Sequence, residues 1–337
     1  MQLPQLSDLT AAARVIKIPL VAPFRGLTVK EFVVFEGPSG WGEFAPFKDH
    51  TLEHSAQWLH AAIESAYGTF PETRRNSIAA NAIVPDISAQ EMNQWVSQTC
   101  QDLGVSVFKI KCGATDFDVD HKRISALIEA AIAQCGSQVR IRLDANGRWS
   151  IDDAIFNINR LSDEFGDVFD YVEQPTAALA DCAYIKTRIS MPIAIDEGIR
   201  LVAQDQLPAD AIREAGDVAI LKAIPLGGVT SGLEIAERLQ MPVVVSGSLD
   251  TAIGLQQGIA LACALPELDL ACGLGTGQLL QRDVVSTILM PRNGELHNSR
   301  QNPDVNLLEE LSREVTQEER DYWFARMSAC YEILENQ

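Results

Sequence analysis

The sequence lacks an apolar run long enough to cross a membrane. Its most apolar stretch, residues 252–265, is interrupted by Gln256 and Gln257, and it is shorter than the about 20 residues that a transmembrane helix needs. The first ten residues, MQLPQLSDLT, contain neither a basic residue nor an apolar core, so they do not resemble a secretion signal. These absences predict a cytoplasmic protein without a membrane partner.

Paired cysteines are missing as well. The seven cysteines stand singly, with no Cys-x-x-Cys pair, at positions 100, 112, 135, 182, 263, 272 and 330. An odd number without close pairs argues against both a structural zinc site and a disulfide framework. We interpret these cysteines as small buried side chains in a reducing compartment.

Basic residues are in deficit, with 27 Lys and Arg against 46 Asp and Glu and a net charge of −19. Nucleic-acid binding needs a basic surface, and anionic membranes attract basic segments, so neither class of partner is expected. The 337 residues, 47% hydrophobic and 22% charged, have a globular composition. This length predicts either two domains or one large barrel with an appendage.

Residues 1–77 have the pattern of an α+β unit. Strand-like segments at 15–21 and 27–35 are followed by a turn at 36–40, and a helix is predicted over 51–67. Segments of this kind, joined by a Gly/Pro turn, favour antiparallel pairing.

From residue 78 to 286, short apolar segments alternate with amphipathic ones. The strand candidates are 78–84, 105–111, 139–144, 171–173, 192–196, 218–222, 243–246 and 268–272. Helices such as 120–134 and 150–165 lie between them, the second opening on a Ser150-x-x-Asp153 capping pattern. This alternation predicts parallel βαβ units.

The spacing of polar residues at the strand ends favours a closed barrel. Positions 111, 144, 173, 196, 222 and 246 are separated by 33, 29, 23, 26 and 24 residues, which is a regular βα period. A doubly wound open sheet is the alternative, but no Gly-x-Gly-x-x-Gly opens a βα turn. Residues 287–337 are charged, end in a helix predicted around 318–334, and are expected to pack back on the N-terminal unit.

In a parallel barrel the carboxyl ends of the strands meet at one mouth, where active sites lie. The polar residues at or just after the predicted strand ends are Lys109, Lys111, Arg142, Asp144, Asn146, Glu173, Asp196, Glu197, Lys222, Ser246 and Ser248. Charges that face a barrel interior must be paired or bound to a metal. These residues are therefore the candidate site.

Asp144, Glu173 and Asp196 come from three consecutive predicted strands. Three carboxylates that converge would repel one another, and a hard divalent cation resolves the repulsion. Oxygen-only ligation that leaves room for water and substrate oxygens favours Mg²⁺. A structural Ca²⁺ site is the alternative.

Lys109 and Lys111 are two positions apart, so on a strand both side chains point to the same face. Neighbouring ammonium groups lower each other's pKa, which would produce a lysine base. Lys222 ends a strand across the predicted barrel, so a substrate would meet a lysine on each side. Alternatively these lysines lie on the surface or only neutralise the carboxylates, and the role of Lys109 stays open.

The five histidines, at positions 50, 54, 60, 121 and 297, do not lie at predicted strand ends. We expect them to be solvated or packed rather than catalytic. No Gly-x-Ser-x-Gly elbow and no Ser/His/Asp set is visible. The segment 273–277 (GLGTG), which begins at Gly273, is a weak phosphate-loop pattern that a tight turn explains equally well.

Together these motifs resemble the enolase superfamily, and within it the muconate-lactonizing subgroup. The resemblance rests on Lys-x-Lys on the second strand, carboxylates on the next three strands and lysine on the sixth. It extends to the N-terminal segments 22–26 (APFRG) and 40–46 (GWGEFAP). The absence of a strand-end histidine separates the sequence from the branch that uses a His–Asp dyad. Ala223 departs from the proline that follows the lysine in many relatives, which puts the local loop shape in doubt.

Within that subgroup, Arg142 two positions before Asp144 and the segment 41–44 (WGEF) resemble the o-succinylbenzoate synthases. The segment 270–277 lacks the Asp-x-Asp element of dipeptide epimerases. The resemblance implies a modified TIM-type (β/α)7β barrel with an α+β capping domain. It also implies dehydration of 2-succinyl-6-hydroxy-2,4-cyclohexadiene-1-carboxylate, a small dicarboxylate, in menaquinone biosynthesis.

The resemblance also implies a role for each member of the site. Asp144, Glu173 and Asp196 would hold Mg²⁺, Lys111 would remove the proton alpha to the bound carboxylate, and Lys222 would stabilise the resulting charge. The supporting or substrate-binding candidates are Lys109, Arg142, Asn146, Glu197, Arg25, Ser246, Ser248 and Gly273. An N-succinylamino acid racemase or another epimerase of the superfamily is the nearest alternative. A metal-binding barrel without catalysis is the alternative of another class.

Overall fold

The structure is a computed structural model that describes residues 3–24 and 26–336. Arg25 therefore lies outside the described residues. The strands are β1 Arg14–Phe24, β2 Leu27–Gly37, β3 Gly40–Phe44, β4 Ser77–Ala79, β5 Ala82–Ile83, β6 Val107–Lys111, β7 Arg140–Asp144, β8 Phe169–Glu173, β9 Ile193–Ile195, β10 Val218–Leu221, β11 Val243–Val245 and β12 Glu295–His297. The helices are α1 Leu6–Ala12, α2 Leu52–Tyr67, α3 Ala89–Leu103, α4 Phe117–Cys135, α5 Ile151–Phe165, α6 Leu179–Lys186, α7 Ile199–Ala203, α8 Ala209–Ala215, α9 Val229–Leu239, α10 Ala252–Ala264, α11 Val305–Arg313 and α12 Gln317–Glu335.

The N-terminal part is a three-stranded antiparallel sheet in the order β1-β2-β3, with α2 against it. The predicted strands and the helix at 51–67 are confirmed, and the Thr51 side chain caps α2 by accepting from the His54 amide at 3.3 Å. Apolar residues of β1, β2 and α2 are buried together with residues of α11 and α12. The core of this part is therefore built from both ends of the chain.

A curled parallel sheet of seven strands forms the larger part, in the order β11-β10-β9-β8-β7-β6-β5. The strands follow the chain order without a reversal, whereas a doubly wound sheet reverses at its switch point. Helices alternate with these strands, and Tyr171, Ala194, Val218, Ile220 and Val244 pack inside the curl. The doubly wound alternative is therefore wrong.

Two sequence expectations about the sheet edges differ from the structure. The segment 78–84 is two strands, because β4 pairs with β12 antiparallel whereas β5 pairs with β6. The segment 268–272 is not a strand, and only Cys272 and Gly273 form isolated parallel bridges, to Ala80 and Ser246 respectively. These bridges join the β5 end of the sheet to its β11 end.

The helix boundaries follow local capping. Ser150 accepts a hydrogen bond from the Asp153 amide at 3.2 Å, as its sequence pattern predicts. The C-terminal helix expected at 318–334 is confirmed as α12, which packs on α2, whereas α11 escaped the sequence reading. All seven cysteines are free thiols. Within the described part of the chain, no helix is long and apolar enough to span a bilayer.

Candidate active site

A cavity of about 510 Å³ opens where the parallel strands end. The predicted site residues that line it are Lys109, Lys111, Asp144, Asn146, Glu173, Asp196, Glu197, Lys222, Ser246 and Ser248. The strand register explains the convergence, because Lys111 is level with Asp144, and Asp144 is level with Glu173. Side chains at equal height on neighbouring strands point into the same layer.

Lys109 bridges two carboxylates. Its Nζ lies 2.7 Å from both oxygens of Glu173 and 3.0 Å from Oδ2 of Asp144. Burial opposes the ammonium charge, but the two carboxylates outweigh burial and hold the pKa of Lys109 well above its usual value. The expectation that a neighbouring lysine lowers the pKa is therefore wrong for Lys109.

Lys111 is oriented by the turn that follows β7. Its Nζ donates to Oδ1 of Asn146 at 2.6 Å and lies 3.6 Å from Oδ2 of Asp144. Asn146 has a positive φ of 47°, and its own amide donates to Oδ1 of Asp144 at 3.2 Å. The Lys111 side chain is 44% exposed against 12% for Lys109, so Lys111 is the more accessible to a substrate.

Lys222 and Asp196 form the corresponding pair on the other side of the sheet's curl. Nζ of Lys222 lies 2.5 Å from Oδ2 of Asp196. Burial opposes the charge on Lys222, but Asp196 and Glu173 raise its pKa above the usual value. The Asp196 amide donates to Oε1 of Gln174 at 3.2 Å, and Gln174 itself has a positive φ of 42°.

The three carboxylates interact with one another. Burial raises the pKa of Glu173 to about 7, and repulsion from Asp144 and Asp196 adds to it against the opposing effect of Lys109. Burial also acts on Asp144, but Lys109 and Lys111 outweigh it and lower the pKa of Asp144. The pKa values of Glu173 and Asp144 are therefore shifted in opposite directions within one group of carboxylates.

Within the described residues, no three carboxylate, imidazole or thiol groups stand close enough together to hold a metal ion. The ammonium groups of Lys109 and Lys222 lie among the carboxylates instead. The donor set nevertheless fits a hard divalent cation, because its members are oxygen atoms on consecutive strands. The mutual repulsion that raises the pKa of Glu173 is what such a cation would relieve.

Arg142, predicted as a supporting or substrate-binding residue, does not line the cavity, so of these two roles the structure leaves the supporting one. It is fully buried, and it donates to Oδ2 of Asp170 at 2.8 Å, to Oδ1 of Asn81 at 3.1 Å and to the Ala271 carbonyl at 2.6 Å. It also lies over the Tyr171 ring at 4.9 Å. Arg142 therefore links β7 to β8 and to the segment before Cys272.

Gly273 supports the cavity without lining it. A Cβ at this position would meet Ser246 Oγ at 2.7 Å, so a side chain there would displace a lining serine. Glu197 lines the cavity, and burial together with the neighbouring Asp196 raises its pKa. Arg25, the remaining supporting or substrate-binding candidate, lies outside the described residues.

Sequence reasoning missed one wall of the cavity. Phe47, His50, His54 and Trp58 reach it from α2 and the segment before it. The His50 and His54 rings are stacked at 4.2 Å, and His50 lies 5.7 Å from the Trp58 ring. His50 and His54 are packed, as expected, but their packed rings form part of the cavity wall. Residues 50, 54 and 58 are four positions apart, a spacing that places side chains on one helix face and could have indicated this wall from the sequence.

Further basic residues also escaped the reading. Arg148 and Arg200 line the cavity, each four residues after a carboxylate at a strand end, Asp144 and Asp196 respectively. Arg148 lies in the connection between β7 and α5, and Arg200 lies on the short helix α7 that follows β9, in the region beyond the strand ends that forms the rim of such a site. Neither arginine is at a strand end, which is why the strand pattern did not indicate them.

Comparison with known proteins gives a consistent result. The family model described as enolase C-terminal domain-like matches residues 91–302, and the one described as enolase N-terminal domain-like matches residues 15–66. The o-succinylbenzoate synthase of Mycobacterium tuberculosis is 37% identical over 334 residues, covering 98% of this chain and 97% of that protein.

Two solved structures share the fold. Muconate lactonizing enzyme from Pseudomonas putida has a TM-score of 0.72 at 18% identity, over 89% of this chain and 98% of that one. N-succinyl Arg/Lys racemase from Bacillus cereus has a TM-score of 0.72 at 18% identity, over 89% of this chain and 96% of that one. At such identities the likeness concerns the fold alone.

Proposed function

This chain belongs to the enolase superfamily and, within it, to the o-succinylbenzoate synthases, and from that premise we propose the reaction that it catalyses. It is a carbon–oxygen lyase that dehydrates 2-succinyl-6-hydroxy-2,4-cyclohexadiene-1-carboxylate to o-succinylbenzoate, a step of menaquinone biosynthesis. The observation that carries this assignment is the 37% identity to an o-succinylbenzoate synthase over 98% of this chain. Lys111 ends β6 and Lys222 follows β10, with three strands between them, yet both line one cavity and could supply the chemistry.

We propose that Asp144, Glu173 and Asp196 hold a divalent cation, as members of this superfamily generally do, and that the cation is Mg²⁺. When bound, Mg²⁺ would supply positive charge where negative charge develops on the substrate carboxylate. The all-oxygen donor set and the repulsion among the carboxylates support this choice over a softer metal. Lys109, which bridges Asp144 and Glu173, neutralises the same carboxylates from the side of β6.

Lys111 is the proposed base. A neutral Lys111 would take the proton alpha to the ring carboxylate, and the resulting ammonium would return a proton to the departing hydroxyl group, which leaves as water. Asn146 accepts from Lys111 and so fixes the direction of its Nζ. Lys222 stays protonated, which the raised pKa supports, and would stabilise the negative charge from the other side.

The cations around the cavity suit a dicarboxylate. Arg148, Arg200, Lys111 and Lys222 all line it, although the chain carries a net charge of −19. A local group of cations in an acidic protein attracts an anionic substrate without making the whole surface basic. We propose a small-molecule dicarboxylate as the partner and a cytoplasmic location, which the free thiols support.

We further propose that the curled sheet is the modified (β/α)7β barrel of the superfamily, with an α+β capping domain. The bridges at Cys272 and Gly273, which join the ends of the sheet, support closure. The proposed division is 1–77 for the cap, 78–286 for the barrel and 287–337 for the segment that returns to the cap. The matches at 15–66 and 91–302 are compatible with it, and β12 pairs with β4, which spans the proposed boundary between cap and barrel.

The racemase alternative uses the same two lysines. A 1,1-proton transfer needs an acid–base group on each side of the alpha carbon, and Lys111 and Lys222 could supply both. The shared fold with N-succinyl Arg/Lys racemase is the observation that favours this second activity. Exchange of the alpha proton of an N-succinylamino acid in D₂O, followed by NMR, distinguishes it from dehydration alone.

The test of the main assignment is the rise in ultraviolet absorbance as the aromatic product forms, with and without Mg²⁺. We expect turnover with Mg²⁺ and none after its removal by EDTA. Lys111→Ala should reduce kcat by at least about 10²-fold, whereas Lys122→Ala, an exposed lysine on α4, should leave it unchanged. Normal turnover in Lys111→Ala removes Lys111 as the base. No turnover by the native protein favours the racemase or the non-catalytic barrel.

A further inference from the structure

The loop after β11 holds a conformation that its residues do not favour. Ser246, Gly247, Ser248 and Leu249 line the cavity, and Leu249 has a φ of 67°. A left-handed conformation is unfavourable for a non-glycine residue, because its Cβ comes too close to the following carbonyl oxygen. Strained residues at a site persist only where the surrounding structure holds them in place. The contacts that hold this loop are therefore of functional interest.

The main holding contact comes from the other part of the molecule. Lys30, on β2, is 4% exposed, and its Nζ donates to the Leu249 carbonyl at 2.8 Å and to the Ser248 carbonyl at 3.1 Å. The ammonium also lies 4.6 Å from the Phe47 ring and 5.4 Å from the Trp58 ring. A lysine is rarely this deeply buried unless it is paired.

Carboxylates hold the other side of the loop. Oδ2 of Asp250 accepts from the Ser248 amide at 2.7 Å, and the Asp250 carboxylate attracts the Lys30 ammonium. Oε2 of Glu43 accepts from the Thr251 amide at 3.1 Å and from the Thr251 hydroxyl. Ser248 is thus held by both of its backbone polar groups: Lys30 donates to its carbonyl, and Asp250 accepts from its amide. Breaking either contact frees a buried polar group, which is costly.

We propose that Lys30 is a positioning residue for the substrate: from the N-terminal sheet, its ammonium holds the Ser248 and Leu249 carbonyls so that the loop presents the Ser246 and Ser248 hydroxyls to the cavity. This inference rests on the proposed dehydration. Serine hydroxyl groups take no part in the proton transfers assigned to Lys111 and Lys222. They bind the substrate and the transition state alike, so their loss raises KM rather than lowering kcat.

The test compares Lys30→Met with Lys17→Met. Methionine keeps the length and apolar stem of lysine but has no ammonium group, and Lys17 is a lysine of the neighbouring strand β1 that pairs with Glu319 away from the cavity. For Lys30→Met we expect KM to rise about tenfold, the effect of losing a charge-assisted hydrogen bond, with kcat within about threefold of native. Lys17→Met should leave both unchanged. An unchanged KM in a folded Lys30→Met variant overturns the proposal.

Hydrogen exchange gives a readout that does not depend on activity. The amides of Ser248 and Thr251 should exchange at least about tenfold faster in Lys30→Met than in the native protein or in Lys17→Met. Should Lys30→Met not fold, Lys30→Gln is put through the same two measurements. Native exchange and native KM in that variant overturn the proposal. If the native protein does not dehydrate the cyclohexadiene, the proposed function fails, while the exchange rates still test whether Lys30 holds the loop.

Discussion

Buried charges decide the chemistry of this protein at the residue scale. Lys109 and Lys222 are each bound to carboxylates, and their pKa values rise. Glu43 is the opposite case: it is fully buried between the N-terminal sheet and α10, and burial and Asp250 raise its pKa to about 8. Lys30 and a hydrogen bond from Thr251 only partly offset this.

Glu43 therefore predicts a dependence of stability on pH. Between pH 4.5, its ordinary pKa, and about 8, its pKa in the folded state, the unfolded chain has released a proton that the folded chain keeps. The free energy of unfolding thus falls as pH rises, by up to about 1.4 kcal/mol per pH unit for one group, and levels off above pH 8. Glu43→Gln, which cannot ionise, should lack this slope in urea unfolding measured from pH 5 to 9.

The control for this prediction is Glu36→Gln, an exposed residue near the end of β2. It should follow the native curve at every pH. Parallel curves for the native protein and Glu43→Gln would mean that Glu43 is ionised in the folded state at neutral pH.

Helix ends link the two parts of the molecule at the scale of elements. Glu64, on α2, accepts from the Val229 amide at 2.5 Å and from the Thr230 amide at 3.0 Å. Helix α9 begins at Val229, and its N-cap residue, Gly228, has no side chain to cap it, so Glu64 satisfies the first amides from another element. His60, one turn earlier on α2, contacts the Gly227 carbonyl through Nδ1 at 2.6 Å.

Removal of this contact should destabilise the protein. Glu64→Ala leaves the buried amide of Val229 and the partly buried amide of Thr230 without this acceptor, which predicts a loss of about 2–3 kcal/mol in the free energy of unfolding. Glu64→Gln keeps one acceptor oxygen and should lose less. Glu237→Ala, exposed on α9 itself, should change the value by less than about 0.5 kcal/mol. Equal effects of Glu64→Ala and Glu237→Ala in urea titrations would show that the contact contributes nothing.

At the scale of the whole molecule, the chain ends share one core. Trp323 on α12 is 1% exposed, its ring lies 6.0 Å from Phe44 in an edge-on arrangement, and its Nε1 donates to Oε2 of Glu31 at 2.5 Å. Residues nearly 300 positions apart thus complete one another's packing. The N-terminal sheet cannot bury its inner face without α12.

Trp323→Ala should therefore be strongly destabilising, by about 3–5 kcal/mol, because it removes one of the two buried tryptophans of this core and leaves a cavity. Tyr322→Ala, whose side chain is 38% exposed, should cost under about 1 kcal/mol. Circular dichroism in urea gives both values. A cost for Trp323→Ala as small as that for Tyr322→Ala would show that α12 is peripheral to the fold.

Much of the site could be predicted because it depends on strand ends. Lys111, Asp144 and Glu173 are the last residues of their strands, and in parallel strands these positions meet at one edge whatever lies between them. Arg142 could not be placed this way. It shares a strand face with Asp144, but its long side chain turns toward Asp170 and Asn81. These hydrogen-bond partners are distant in sequence, so the strand pattern does not indicate them.

The sequence by itself determined the alternation of strands and helices, the convergence of lysines and carboxylates, and the family. These follow from local periodicity and from fixed strand geometry, both of which are short-range properties. Only the tertiary structure decided that Lys109 bridges two carboxylates, that His50 and His54 form a wall of the cavity, and that Lys30 reaches the loop after β11. Those contacts join separate parts of the chain, and packing and burial select them after the elements have formed.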